Sequence, residues 1–279
     1  MLQMFRRYFF VTIKYLVLCI SSFMALLPLY SCFILSFKES KEITYDTILE
    51  LPKNPLNFAN YKYVFTSSDF LKAFLNSAII MLIVLTISTA FSAMIAYSIY
   101  RLGFRWKRSV IWLYLVGSLI PSISLQIPIF QLMSSLQMIN TLYGYILVMC
   151  GADIVSIYIF GNFYQEVPKT IDKAALLDGC STISLFFRVH LPMLKPAFLT
   201  SAIVKGVYVY NEYYMANLYL LDKKKLPTAT TELYSYLGPF GNSYNIICAA
   251  CIIVVLPIII VFVLSQKKIY SGFSGIRNY

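Results

Sequence analysis

Six stretches of this chain, near residues 12–37, 72–99, 109–134, 142–162, 197–220 and 245–265, run with few charges for as long as a bilayer is thick. A spanning helix takes roughly 20 such residues. One soluble core would have to bury all six, and a membrane barrel would show short alternating segments instead. Only 13% of the residues are charged, against about 25% in an average soluble domain. The pattern specifies an all-α membrane protein with six transmembrane helices in a single domain, 1–279. The opening MLQMFRRYFF has the charged start of a signal peptide, but the run after it is too long and lacks a small-residue cleavage site. It reads as a retained first span.

The charges orient these spans. With the N-terminus in the cytoplasm, segments 1–11, 100–108, 163–196 and 266–279 face inward and hold 13 Lys/Arg against 3 acids. The outer connections are close to balanced, as the positive-inside rule requires. Both termini are therefore expected in the cytoplasm. Arg101, Arg105, Lys107 and Arg108 contribute most, while Lys223-Lys224-Lys225 runs the other way and reads as a local exception. The net charge of +11 follows from topology, and no basic-aromatic motif points to nucleic acid.

Enzyme chemistry has little to work with. The one histidine, His190, has no histidine partner for a zinc motif, and no GxxxxGK[ST] phosphate loop occurs. Cys248-Ala-Ala-Cys251 has CxxC spacing but opens an apolar run without a nearby His or carboxylate, so it reads as packing. No catalytic residue, metal or bound cofactor is expected, and His190 is expected at a surface or interface.

The connection at 163–196 is too long for a simple link and too patterned for a disordered one. Pro168 stops the preceding span or begins a helix. Ile171, Ala174 and Ala175 share a narrow face of small apolar groups, and Asp172 suits the positive end of the helix dipole. Gly179 can take the left-handed conformation that ends the helix. Ser181 can cap a second short helix through Leu185, Phe186 and Phe187, and Pro192 and Pro196 close the element. A rigid helix-turn-helix knuckle with a small apolar surface suits a groove on a partner protein; an element lying along the membrane is the alternative.

Here the chain resembles the permeases of ABC importers. Their motif is EAA, three residues, Gly, about nine residues and I-x-LP, and it is matched in register by Ala174-Ala175, Asp178-Gly179 and Val189-His190-Leu191-Pro192. Lys173 stands where the motif has Glu, and Asp172 precedes it. The carbohydrate-uptake, maltose-system-like branch is matched further by Asn76-Ser77, Ala96-Tyr97 with Arg101, Pro121 and Pro128, Asn140-Thr141 with Gly144, and the ending QKKIYSGFSGI. The resemblance implies that Asp172, Lys173, Ala174, Ala175, Asp178, Gly179, Leu191 and Pro192 belong to a coupling helix that docks on an ATPase. It implies a non-catalytic, multi-pass subunit of the bacterial cell membrane. The expected partners are a second permease subunit, two ATPase subunits carrying ATP and Mg, an extracytoplasmic solute-binding protein, a sugar and membrane lipid.

Cargo contacts are sought among polar groups inside the spans. Asp153 and Glu212 are costly there and face a cavity or partner. Asn211 and Glu212 sit among Tyr208, Tyr210, Tyr213 and Tyr214, the rings and hydrogen-bonding groups that a sugar requires. An interfacial tyrosine belt is the alternative. Ser88, Ser92 and Ala96 line one face of the second span, for close packing either within the chain or against a second subunit. Pro121 and Pro128 are expected to interrupt the third span. A self-contained ion-coupled transporter using Asp153 and Glu212 is the competing reading. The absence of an internal repeat of the six spans argues against it.

Overall fold

The computed structural model describes residues 2–43, 49–67, 69–103, 105–237 and 243–274, and their regular structure is entirely helical. In chain order the helices are α1 (Leu2–Phe37), α2 (Ala59–Ser67), α3 (Phe70–Tyr100), α4 (Lys107–Leu119), α5 (Gln126–Ser135), α6 (Leu142–Met149) and α7 (Ile154–Glu166). There follow α8 (Lys169–Leu177), α9 (Thr182–Ser184), α10 (Leu191–Met193), α11 (Lys195–Asn211), α12 (Tyr214–Tyr219), α13 (Ala229–Tyr234) and α14 (Tyr244–Ser274). The described residues fall into two compact units, one drawn from 1–69 and 233–259, the other from 70–232 and 260–279. The last residues of the QKKIYSGFSGI ending, Gly275 and Ile276, lie outside the described residues.

Three helical stretches, Tyr8–Phe37, Phe70–Tyr100 and Tyr244–Leu264, are long and apolar enough to cross a membrane unbroken. Two further pairs pass together but are bent, Lys107–Leu119 with Ser122–Ser135 by 91° and Leu142–Met149 with Ile154–Glu166 by 54°. The first bend has its cause in Pro121, which stops α4 and leads into a 3-10 turn over Ser122–Leu125. Pro128 breaks nothing. It occupies the first turn of α5, where its missing N–H has no helical partner to lose. The stretch expected to span at 197–220 is divided into α11 and α12 by a break at Glu212 and Tyr213.

In the smaller unit the end of α1 is held by one amide. Asn60 donates to the carbonyls of Ser36 at 2.8 Å and Lys38 at 2.9 Å, and its own oxygen accepts from Asn245 at 2.9 Å. That satisfies helix-end carbonyls that would otherwise be buried without partners. The Cys32 thiol contacts the Cys248 carbonyl at 3.7 Å, so the CxxC pair packs against α1.

The larger unit is organised on α3. Its buried positions include Ala73, Asn76, Ile80, Val84, Ser88, Ser92 and Ala96, while Leu71, Leu75, Ile79, Leu82 and Phe91 are exposed. Along Ser88, Ser92 and Ala96 the buried face is made of small residues, which permit the close backbone approach that packs helices in lipid. Ser88, Ser92 and Ala96 pack within this chain. α3 lies chiefly against α7 and α11, Ser88 accepts from the Gly151 N–H at 3.2 Å, and Ala93 and Ala96 share a core with Ile157, Phe160 and Ala197. At Gly161 a Cβ would stand 2.5 Å from the Tyr100 ring, so a larger residue here would require that ring to move.

Candidate functional site

The segment 163–196 folds as its turn residues dictate. α8 ends in a Schellman turn: Gly179 takes φ +83°, its N–H bonds the Leu176 carbonyl at 3.1 Å, and the Cys180 N–H bonds that of Ala175 at 3.0 Å. Ser181 then caps α9 by accepting from the Ser184 N–H at 3.2 Å. A π-helical turn over Leu185–His190 leads to α10. Ile171, Ala175 and Leu191 are half-buried, whereas Lys173, Ala174, Asp178 and Pro192 are exposed. The larger apolar surface comes from residues outside the Ile171, Ala174 and Ala175 face read from the sequence. Leu177 is 88% exposed and Ile183 72%, beside exposed Leu176 and Phe187. No residue of α8 is buried.

Asp172 points the other way, into the protein. Its carboxylate meets Arg101 Nη1 at 3.2 Å, and Arg101 Nη2 donates to the Val167 carbonyl. The arginine side chain is 2% exposed and lies over the Tyr164 ring at 5.9 Å. His190, expected at a surface, is instead fully buried. The rings of Tyr97 and Tyr164 enclose it at 5.2 and 5.4 Å, and a cage of aromatics shelters an imidazole that its position in a loop could not reveal. Its Nε2 stands 3.0 Å from Asp172 Oδ1 without the alignment of a hydrogen bond, and neither ring nitrogen has a hydrogen-bond partner among the described residues. Burial lowers its pKa from the ordinary 6.5, and Asp172 opposes that shift while Arg101 reinforces it.

The polar groups read as lying within spans gather at helix breaks. Asp153 caps α7, accepting from the Ser156 N–H and hydroxyl, each at 2.9 Å. Its Oδ2 lies 3.8 Å from Nζ of Lys205, a residue in the middle of α11 that sequence reasoning missed. A basic residue inside the predicted span 197–220 was the available signal. Ser201 on α11 donates to Ser156 at 2.8 Å, which extends this polar contact between α7 and α11. Glu212 occupies the break after α11 and accepts from the Met215 N–H of α12 at 2.9 Å. With Tyr145, Tyr210, Ser77, Thr228 and Thr230 it lines a small cavity, large enough for a single water. Asn211 is exposed and bonds back to the Val207 carbonyl at 2.9 Å. Tyr213 stands at the break beside Glu212, and Tyr208 is exposed one turn earlier, beneath the Lys205 ammonium at 5.5 Å from its ring centre.

Residues 88–274 match the family described as binding-protein-dependent transport system inner membrane component. The chain belongs to this family. The permease is 30% identical over 253 residues to the arabinooligosaccharides transport system permease protein AraQ of Halalkalibacterium halodurans, with 90% of each chain covered. It is 31% identical over 254 residues to the trehalose transport system permease protein SugB of Mycobacterium tuberculosis, covering 90% of this chain and 91% of that one. Its fold matches a chain of a bacterial ABC transporter involved in the import of the acidic polysaccharide alginate, with a TM-score of 0.80 at 20% identity, over 92% and 95% of the two chains. Nothing among these relatives supports a self-contained ion-coupled transporter.

In the permease the short motifs each hold backbone in place. Asn76 donates to the Pro227 carbonyl at 2.9 Å and Ser77 accepts from the Ala229 N–H at 2.9 Å, which fixes the loop before α13. Asn140 takes φ +59°, its N–H bonds the Tyr219 carbonyl at 2.8 Å, and its side chain accepts from the Asp222 N–H at 2.8 Å. Thr141 caps α6, and a Cβ on Gly144 would stand 2.1 Å from the Met138 carbonyl. Lys223 donates to the carbonyls of Ala216, Asn217 and Leu220 at the end of α12. These bonds give Lys223 a structural use.

Proposed function

We propose that the permease forms one membrane-spanning half of an ATP-driven importer for a sugar or oligosaccharide. The names of its relatives support a sugar as cargo. Six spans follow when α1, α3, α4 with α5, α6 with α7, α11 with α12, and α14 are each counted once, with both termini in the cytoplasm. The segment 169–192 then faces the cytoplasm and docks on a separate ATPase subunit. The observation that carries this reading is the exposed apolar knuckle, Leu176, Leu177, Ile183 and Phe187, held in shape by the Gly179 turn. Water-exposed apolar groups on a rigid element are what a partner's groove takes up. ATP binding would close the ATPase pair, push the knuckle and shift the spans between inward and outward openings. This chain performs no chemistry. Glu212, Asn211, Tyr208, Tyr213 and Asp153 would line the sugar's path, a second permease would form the other half, and an extracytoplasmic binding protein would deliver the cargo.

The test is a mild-detergent purification of the N-terminally tagged chain from its native cell. Recovery of an ATPase and a second permease is expected, with ATP-dependent sugar uptake by the reconstituted complex. Recovery of the chain alone, under conditions that preserve known membrane complexes, would refute the reading.

A further inference from the structure

α8 presents a problem of mechanics. It buries no residue and packs chiefly on the Leu185–His190 turn, so hydrophobic contact alone gives it little purchase on the spans. A segment that receives a push must nevertheless be held firmly, or the push is lost in local motion. The polar contacts supply the hold. One arm of the Arg101 fork reaches Asp172 on α8, and the other reaches the carbonyl of Val167, the residue that ends α7. Arg101 itself follows the last residue of α3. One guanidinium thus joins three elements in a largely buried site, where charge-assisted bonds are strong and an uncompensated partner is costly. A second contact lies on the other side of the knuckle, where the Tyr97 hydroxyl donates to the Thr182 carbonyl at 3.1 Å. The titratable groups facing this site are Asp172, His190, Tyr97 and Tyr164.

We propose that Arg101 is a positioning residue of the transport cycle, fastening α8 and the end of α7 to the end of α3 so that a push on the knuckle moves α3 and α7 with it. The inference rests on the reading of 169–192 as the ATPase-docking segment. It assigns Asp172 an inward duty, distinct from the exposed residues that would touch the ATPase.

The test uses the complete importer in proteoliposomes, with sugar carried per ATP hydrolysed as the readout. Arg101→Ala is expected to lower that ratio by about tenfold or more, because it removes both charge-assisted bonds of the fork. Arg101→Lys should fall between the two, because a single ammonium cannot hold Asp172 and the Val167 carbonyl in the fork's geometry. Asp172→Ala combined with Arg101→Ala should be no worse than the more damaging single change, since the two act as one unit. Amide exchange should rise in α8 for Arg101→Ala and stay unchanged in α11. An Arg101→Ala complex with the wild-type ratio would overturn the proposal, as would single effects that simply multiply. If Arg101→Ala fails to assemble, the decision passes to Arg101→Lys, and an unchanged ratio in that assembled variant overturns it. A wild-type complex without ATP-dependent uptake would instead count against the docking reading itself.

Discussion

Replacing Gly179 tests the knuckle through its backbone alone. The residue sits at φ +83° with no atom of the described residues within 4 Å of where a Cβ would stand, so the methyl of alanine meets no neighbour there. The cost of Gly179→Ala is the conformational cost of a left-handed residue carrying a Cβ, roughly 1–2 kcal/mol. Asn visits this region readily, and Gly179→Asn should cost less than Ala. Gly179→Pro is a different case. Proline locks φ near −65° and removes the N–H that bonds Leu176, so the Schellman turn cannot form and the cost is about 3 kcal/mol or more. If docking requires the folded knuckle, apparent affinity falls with the fraction still folded. The loss is at most about thirtyfold for Ala and can exceed about a hundredfold for Pro.

The assay is the tagged-chain purification, with the ratio of ATPase to permease measured over a dilution series. Retention should rank wild type, Asn, Ala, Pro, while the second permease stays bound in all four and serves as the internal control for folding. A proline variant that keeps its ATPase at the wild-type level would refute the role of the turn. Parallel loss of both partners would show that the substitution acts on the whole fold and would refute the local argument.

Three further outcomes are expected. Gly161→Ala should destabilise the detergent-solubilised protein by about 1–3 kcal/mol, because the new methyl would meet the Tyr100 ring at 2.5 Å; Tyr100→Ala in the same chain should recover part of the loss in a thermal melt. Lys205→Met removes the cation 3.8 Å from the Asp153 carboxylate, which keeps its two bonds from Ser156, and should lower thermal stability by up to about 1 kcal/mol more than Lys205→Met with Asp153→Asn. His190 has its pKa lowered by burial, so the unfolded state takes up its proton first and stability is lost as pH falls below about 6.5. Melts at about pH 7.5 and about pH 5.5 should therefore differ more for wild type than for His190→Phe.

What could be read from the sequence was what local chemistry decides. Gly179 ends α8 and Ser181 starts α9 because a missing Cβ and a short hydroxyl act within a few residues of their own position. The break at Pro121 was legible for the same reason, whereas Pro128 was misjudged because its effect depends on where the next helix begins. The charged residues within spans were found but their surroundings were not. Asp153 and Glu212 both come to rest at breaks, each accepting a backbone N–H at a helix start. In a membrane those donors have no water to turn to, so a carboxylate at a break serves the backbone first and only its remaining capacity is open to cargo.

The departure at Lys173 shows where a motif read by type alone misleads. Lys173 replaces the expected Glu, yet the segment still holds an ion pair. Asp172, one residue earlier on the helix and so turned by about 100°, reaches inward to Arg101, while Lys173 remains exposed. Arg101 and Asp172 lie 71 positions apart, and no local pattern joins them. His190 was misplaced for the same reason, since the rings that enclose it come from α3 and α7. A carboxylate at position 172 holds the knuckle whatever stands at 173. The side chain at 173 is then free to answer to the surface of the partner it meets, and Lys173→Glu should change docking affinity while leaving the Arg101 contact and the amide exchange of α8 unaltered.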